Sequence, residues 1–328
     1  MNSDFYLNYE ISDTAHIDLC VNGRGEFSGI TDWYSRCKLL ADCIANDPLK
    51  KYARSGNKVN DPKGHKAIIL YKYNKLIEDQ ITNLKTLGIY SPAINIEYLP
   101  QFSFFIQFCF QLETPYLSRD DEEFYICENP IKKDKVFKVP MVSASTWKGV
   151  LRSVAERSCL PDQLIYLFGN ERNESEDFKK GRLHFYPTFF NKIGLEVINP
   201  HDRKSKAGTN PILLECVPAE NSVGVFSMLY VPFDLLGESP TNVFDAMLDD
   251  IKCLGSILMD TFRKYGFGAK TGSGFGIAKS SFDKDGVLTI NIPDLTLKSP
   301  ITELKFSNFS KLKKAIDSLD RVRGKEKK

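Results

Sequence analysis

The residues able to do chemistry in this 328-residue chain gather in four segments. The densest is Tyr265-Gly-Phe-Gly-Ala-Lys-Thr-Gly-Ser-Gly-Phe-Gly276, with Gly266, Gly268, Gly272, Gly274 and Gly276 inside eleven residues. Glycine adopts positive φ and lets the backbone approach a ligand closely, so several N–H groups can converge on one anion. Lys270 adds a charge there, and Thr271 and Ser273 add hydroxyl donors. Between Arg263 and Ser281 there is no acid, whereas Arg263, Lys264, Lys270 and Lys279 all occur. The segment is no Walker A loop: GxxxxGK[ST] is absent and a strand pattern follows. An anion site outweighs a mere connector.

The second segment runs from Val139 to Arg152. Ser143 or Ser145 can N-cap a helix whose apolar stripe is Trp147, Val150, Leu151 and Val154. Lys148 and Arg152 lie four apart on another face, near the positive end of the helix dipole, where a phosphate could meet N–H groups and two cations. A capped surface helix with Arg152 paired to Glu156 at i+4 explains the pattern equally well. The third segment, Ile198 to Pro211, clusters His201, Arg203, Lys204 and Lys206 in a stretch too polar for core. It reads as a finger lying along RNA or as a solvated hairpin tip. The fourth, Thr114 to Pro130, carries Asp120, Asp121, Glu122, Glu123 and Glu128. Such acids beside a phosphate channel could hold a divalent ion or help cleave a ribose–phosphate linkage, although acidic runs are more often solvated loops.

Other chemistry is excluded. The four histidines (His16, His65, His184, His201) form no HExxH and no GxSxG is present, so zinc-protease and ordinary hydrolase chemistry lack support. The eight cysteines contain no CxxC; most lie in apolar patterns, where reduced Cys behaves as a small hydrophobe, and the cytosol is the expected compartment. A formal charge of +2 means that any nucleic-acid site comes from local clustering, not from a polycationic whole. No signal peptide is expected at MNSDFYLNYE, and no run reaches the roughly 18 apolar residues of a membrane span.

The elements that must position these segments can be read from periodicity. Residues 1–100 are expected to be mostly helical, with Trp33, Cys37, Leu40 and Ile44 ending at Asp47-Pro48, and Tyr73 through Leu87 ending at Gly88. Lys50–Gly64, basic and rich in breakers, is expected to be a loop. From Pro100 the pattern changes: Phe102, Phe104, Ile106, Phe108, Phe110 and Leu112 alternate with partners at period two, a strand with one aromatic face. Further strands are expected near Leu183–Phe185, over 212–217 and 223–231 around the turn 218–221, and over 274–282 and 287–292. An amphipathic helix spans Phe244 to Phe262. Strand, helix, strands, helix, strand is the order of a βαββαβ unit. The expected division is a helical region 1–100, a core 101–300 with an inserted hairpin, and a charged helix and tail 301–328.

Three motifs taken in order resemble the RAMP superfamily of CRISPR-associated proteins. The Pro140…Ser145-Thr-Trp-Lys-Gly149…Leu151-Arg152 element, the Gly181-Arg-Leu-His-Phe185 strand and the Gly266-Phe-Gly-Ala-Lys-Thr…Gly274-Phe-Gly276 loop carry the resemblance, over roughly residues 100–282. It implies an α+β, ferredoxin-like (RNA-recognition-motif-like) core that binds guide (crRNA) backbone in a type III effector, in the Cmr-like backbone or cap group. The expected partners are guide and target RNA and other effector subunits. By motif it nominates Ser145, Lys148, Arg152, Gly268, Lys270, Thr271 and Gly274 for RNA, with His201, Arg203, Lys204 and Lys206 on the candidate finger. Binding would need no cofactor. Target-cutting relatives place an Asp shortly before the proline–serine element; here Glu128 stands nearby, with Asp120 or Asp121 as substitutes, and cutting would call for a magnesium or manganese ion. A repeat-RNA endonuclease with a His general base is the remaining alternative.

Overall fold

The computed structural model describes residues 9–55, 61–121, 125–127, 129–170, 179–199, 208, 211–292 and 301–320. The alternating aromatic run forms β1 (Phe104–Gln111) at the centre of a five-stranded antiparallel sheet. Its companions are β2 (Leu183–Phe185), β3 (Val223–Tyr230), β4 (Ser281–Asn291) and β5 (Ile301–Asn308), in the order β2-β3-β1-β4-β5. β1 pairs along its whole length with β3, from Phe104 opposite Tyr230 to Gln111 opposite Val223. Helix α1 (Ala144–Ala155) lies between β1 and β2 in the chain, and α2 (Pro240–Asp260) lies between β3 and β4. Removing β5 and the following α3 (Phe309–Ser318) leaves βαββαβ with spatial order 4-1-3-2, the ferredoxin-like arrangement.

The period-two pattern of β1 gives the sheet its core. Phe108 is fully enclosed by the rings of Phe226, Phe262, Phe282, Phe306 and Phe309, with centroids 4.9 to 6.1 Å away. Gly286 is required in β4, because a Cβ there would come within 2.6 Å of the Phe306 ring. On the opposite face Phe105, Leu229 and Val231 are buried against Ile96, with Ile94 and Leu99 packed on the same cluster. Gln107 Nε2 donates to the Pro92 carbonyl at 3.2 Å, so the segment before β1 covers that face. Arg182, just before β2, is sunk between carboxylates: its Nη1 meets Asp250 at 2.8 Å and its Nε meets Asp234 at 2.8 Å.

Contacts divide the chain into two units that interleave in sequence. The sheet belongs to Lys85–Tyr116, Met141–Phe189 and Ala219–Lys328; the other unit comprises Met1–Leu84, Leu117–Pro140 and Phe190–Pro218. This second, mainly helical unit contains the helices Thr14–Asn22, Trp33–Leu39 and Asp47–Ser55, then a nearly continuous run from Gly64 as far as Leu84 with a π-turn at Ile69–Tyr73. It also holds the hairpin Gly194–Ile198 with Ile212–Cys216, paired from Gly194–Cys216 to Ile198–Ile212.

Several expectations need correcting. Residues 50–55 are helical, not loop: Pro48 sits in the first turn of Asp47–Ser55, where its missing N–H has no intrahelical partner to lose. Strands Ile212–Cys216 and β3 do not pair with each other; each joins a different unit. The segment 274–280 is no strand, because Gly274 and Gly276 take φ of 86° and 74° and turn the chain away from a sheet path. Ile301–Asn308 extends the sheet from the region expected to be helix and tail. Cys159 and Cys253, 94 residues apart, form a disulfide. Sequence spacing holds no signal for a pairing made by α2 passing the turn after α1.

Candidate nucleic-acid interface

The site begins with Trp147. Ser143 caps α1, its Oγ accepting the Thr146 N–H at 3.2 Å, which fixes the helix start. Trp147 is fully buried and stacks on Phe262 at 5.3 Å, with Phe267 at 4.8 Å. Its Nε1 donates to Thr188 Oγ1 at 3.0 Å, and that hydroxyl donates onward to the Val225 carbonyl. One indole therefore ties α1 to the end of α2 and to the glycine loop.

The loop itself separates its glycines by task. Gly266 and Gly276 close the neck: Phe267 N–H donates to the Gly276 carbonyl at 3.1 Å and Gly276 N–H to the Pro115 carbonyl at 2.9 Å. A Cβ on Gly276 would lie 2.0 Å from the Phe267 oxygen. Phe267 plugs the core beneath this neck. Above it, Gly272 and Gly274 have nothing within 4 Å of a built Cβ, and Lys270 stands exposed at φ 57° before the single turn Thr271–Ser273. The tip is thus held open by a neck that cannot carry side chains.

Between α1 and this loop runs a groove of about 600 Å³. Gly149, Val150, Ser153 and Arg157 line it on the helix side; Lys264, Tyr265, Gly268, Thr271 and Gly272 line it on the loop side. Arg157 lies over the Tyr265 ring at 4.4 Å and Lys264 at 4.9 Å. Hydrogen bonding from Arg157, then Lys264, pulls the Tyr265 phenol below its ordinary pKa. The groove therefore offers two exposed cations, an aromatic edge, hydroxyls on Ser153 and Thr271 and an unshielded glycine backbone. That is the chemistry of a phosphodiester contact with room for a base or ribose.

Of the nominated residues, the structure brings Gly268 and Thr271 into the groove, with Lys270 and Gly274 at the adjoining tip. Lys148 is exposed but does not line it, and partial desolvation followed by the Arg152 charge lowers its pKa. Arg152 is 14 % exposed; its Nη1 donates to the Gly169 carbonyl at 2.9 Å and its Nε faces Glu156 at 3.5 Å. Ser145 lies 2.9 Å from the capping Ser143 hydroxyl. Two of the loop's cations are engaged beside the groove: Arg263 with Glu113 at 2.6 Å and Lys279 with Gln111 at 2.7 Å. His201, Arg203, Lys204 and Lys206 lie outside the described residues. Ser153 and Arg157 were not nominated; the signal was available, since Gly149, Ser153 and Arg157 recur every fourth residue.

The acidic candidates belong to the helical unit. Asp120 closes a loop: Oδ1 accepts the Asp121 N–H at 2.9 Å and sits 3.5 Å from Lys132 Nζ, while Oδ2 accepts the Lys133 N–H at 3.2 Å. Asp121 is 98 % exposed, with Lys132 4.0 Å away. Glu128 lies outside the described residues. Among the described residues no group of three or more His, Cys, Asp or Glu could hold a metal ion, and Asp120 is already committed to lysines. Among the described residues of the unit, Glu215 is a fully buried carboxylate. It accepts from Tyr125 Oη at 2.7 Å and Ile131 N–H at 3.1 Å, meets His65 Nε2 at 2.8 Å and is paired with Lys133.

The sequence pattern of the RAMP superfamily matches residues 109–279, more than half of the chain. The chain belongs to the RAMP superfamily. The matched span runs from within β1 through α1, α2 and the glycine loop, so both walls of the groove are RAMP elements. Among solved structures the chain is similar to one from a type III-B Cmr-beta complex bound to cognate target RNA. The identity is 16 %, 89 % of this chain and 99 % of that chain are covered, and the TM-score is 0.47. It is also similar to a chain of a Csm3–Csm4 subcomplex from a type III-A CRISPR-Cas interference complex (16 % identity, 66 % and 96 % covered, TM-score 0.38). A third is a chain of a CRISPR RNA-guided surveillance complex (14 % identity, 68 % and 84 % covered, TM-score 0.39). No curated protein matches the sequence.

Proposed function

We propose that this RAMP protein is a subunit of a type III CRISPR effector that holds guide-RNA backbone in the groove between α1 and the glycine loop. Its partners are then guide and target RNA and neighbouring effector subunits, and the cytoplasm is its compartment. No helix among the described residues is long and apolar enough to cross a membrane. The observation that carries the reading is the convergence of Arg157, Lys264 and a side-chain-free glycine tip around one open groove. A second argument comes from what is closed. On the face of a ferredoxin-like sheet where RNA-recognition motifs stack bases, Phe105 and Leu229 are buried here against Ile94, Ile96 and Leu99, which favours the helix–loop edge for the strand. Contacts of this kind read phosphate and ribose, not sequence, so binding should tolerate any guide.

The test is RNA retention by the protein purified from a host that carries a CRISPR array. The expected result is co-purified RNA of uniform length, with Arg157→Ala/Lys264→Ala weakening binding at least tenfold. The salt dependence should flatten by about 0.7 for each phosphate that is no longer neutralised. A preparation without RNA, together with wild-type affinity in that double variant, overturns the reading.

A further inference from the structure

The helix Asp47–Ser55 of the helical unit turns Lys50, Lys51 and Arg54 toward a groove of 460 Å³. Its far wall is the hairpin stem, through Val197, Pro211 and Leu213. Lys50 and Arg54 are four residues apart, about 6 Å along the axis, so neighbouring phosphates of one strand can reach both. Ala53 is buried and seats the helix, and Arg54 Nε donates to the Ile126 carbonyl at 2.9 Å, which fixes the guanidinium at the groove. Among the described residues that line the groove Asp47 is the one acid, so three cations face a single carboxylate in a chain whose formal charge is only +2. Val197 is 60 % exposed, an apolar side chain left open beside these charges.

The wall chemistry selects among anions. A free inorganic anion would gain nothing from Val197 and Leu213, whereas a nucleotide strand offers phosphates to the lysines and ribose or base faces to the apolar wall. An acidic peptide would satisfy the charges but brings short polar side chains to that wall. The sequence joining the two stem strands adds His201, Arg203, Lys204 and Lys206 against one acid, Asp202, so the basic character continues along the chain beyond the stem. We propose that this groove binds the sugar–phosphate backbone of single-stranded RNA, as a second contact made by residues separate from those of the glycine-loop groove. The proposal rests on the RNA-binding reading above.

The experiment measures binding of a fluorescent oligouridylate to the full chain across a salt series. Lys50→Glu/Lys51→Glu should weaken binding at least tenfold at low salt and flatten the salt slope by about 1.4, because two phosphates go unneutralised. Lys50→Gln/Lys51→Gln should show the same direction at an unchanged melting temperature, which separates an effect of charge from an effect on the fold. Wild-type affinity and slope in both variants, with binding weakened at least tenfold in Arg157→Ala/Lys264→Ala, overturns this groove while leaving the RNA reading intact. Unchanged binding in all three variants overturns both. Displacement of the RNA by polyglutamate as effectively as by unlabelled RNA of equal charge assigns the groove to acidic peptides and also overturns the proposal.

Discussion

Replacing Glu215 by Gln keeps the shape of the most deeply buried charge in the helical unit and removes only its ionisation. Burial pushes this carboxyl upward, but the Lys133 charge and the His65 hydrogen bond outweigh it and hold the pKa at about 2, against an ordinary 4.5. A depressed folded pKa contributes stability that is fully present above the unfolded value and is lost as pH falls from about 4.5 toward 2. At 1.36 kcal/mol per unit, that difference corresponds to about 3 kcal/mol. Removing the charge also leaves Lys133 buried without a counter-charge, and breaking a buried pair costs about 3–5 kcal/mol. The two routes agree. Glu215→Gln should therefore lose about 3 kcal/mol in urea unfolding at pH 7, and the two proteins should converge toward pH 2. Amide exchange at Ile131, whose N–H donates to Glu215, should accelerate in the variant at pH 7. Other carboxylates titrate in the same window, so the difference between the two curves, not either curve alone, isolates Glu215. A loss below about 1 kcal/mol at pH 7, or a constant gap between the curves down to pH 2, would refute the reasoning.

Two further predictions concern the loops. Gly276→Ala places a Cβ 2.0 Å from the Phe267 oxygen at φ 74° and should collapse the neck, lowering both melting temperature and RNA affinity. Gly272→Ala meets nothing within 4 Å and should leave the melting temperature unchanged. In the acidic loop, Asp120→Ala removes the acceptor of two N–H groups and should destabilise the helical unit by about 1–3 kcal/mol in urea unfolding, whereas Asp121→Ala should be neutral there. Normal target cleavage in assembled complex bearing Asp121→Ala would show that this exposed carboxylate does not carry out the cut.

Legibility in the sequence followed the range of the interactions. The alternation of β1, the serine cap of α1 and the glycine-rich turn are local patterns; each appears where the sequence places it, with Ser143 the one of two candidate serines that caps. The Glu215 cluster was hidden because its partners come from positions 65, 125, 131 and 133, although one acid inside the apolar strand Ile212–Cys216 was itself a sign of a buried charge needing partners. The Cys159–Cys253 bridge was hidden for the same reason. The helix Asp47–Ser55 was lost to a local rule applied in one direction, with Pro48 taken as a terminator although proline also begins helices.

The α1 helix shows how one element can present two different faces. Lys148 and Arg152 attract attention because they are cationic and four apart, but phase around a helix is set by what must be buried. Trp147 takes the core, and with Leu151, Val154 and Ala155 it fixes the rotation of every other position. Lys148 precedes Gly149 and Arg152 precedes Ser153 by one residue, roughly 100° round the helix, so the pair turns away when the Gly149–Ser153–Arg157 stripe meets the loop. Small residues on that stripe are what allow the helix to line a groove at all, since long side chains at 149 and 153 would fill it. The α1 cation that lines the groove is therefore the one that continues the small-residue stripe, Arg157, while the pair with the more conspicuous spacing lies on the neighbouring face.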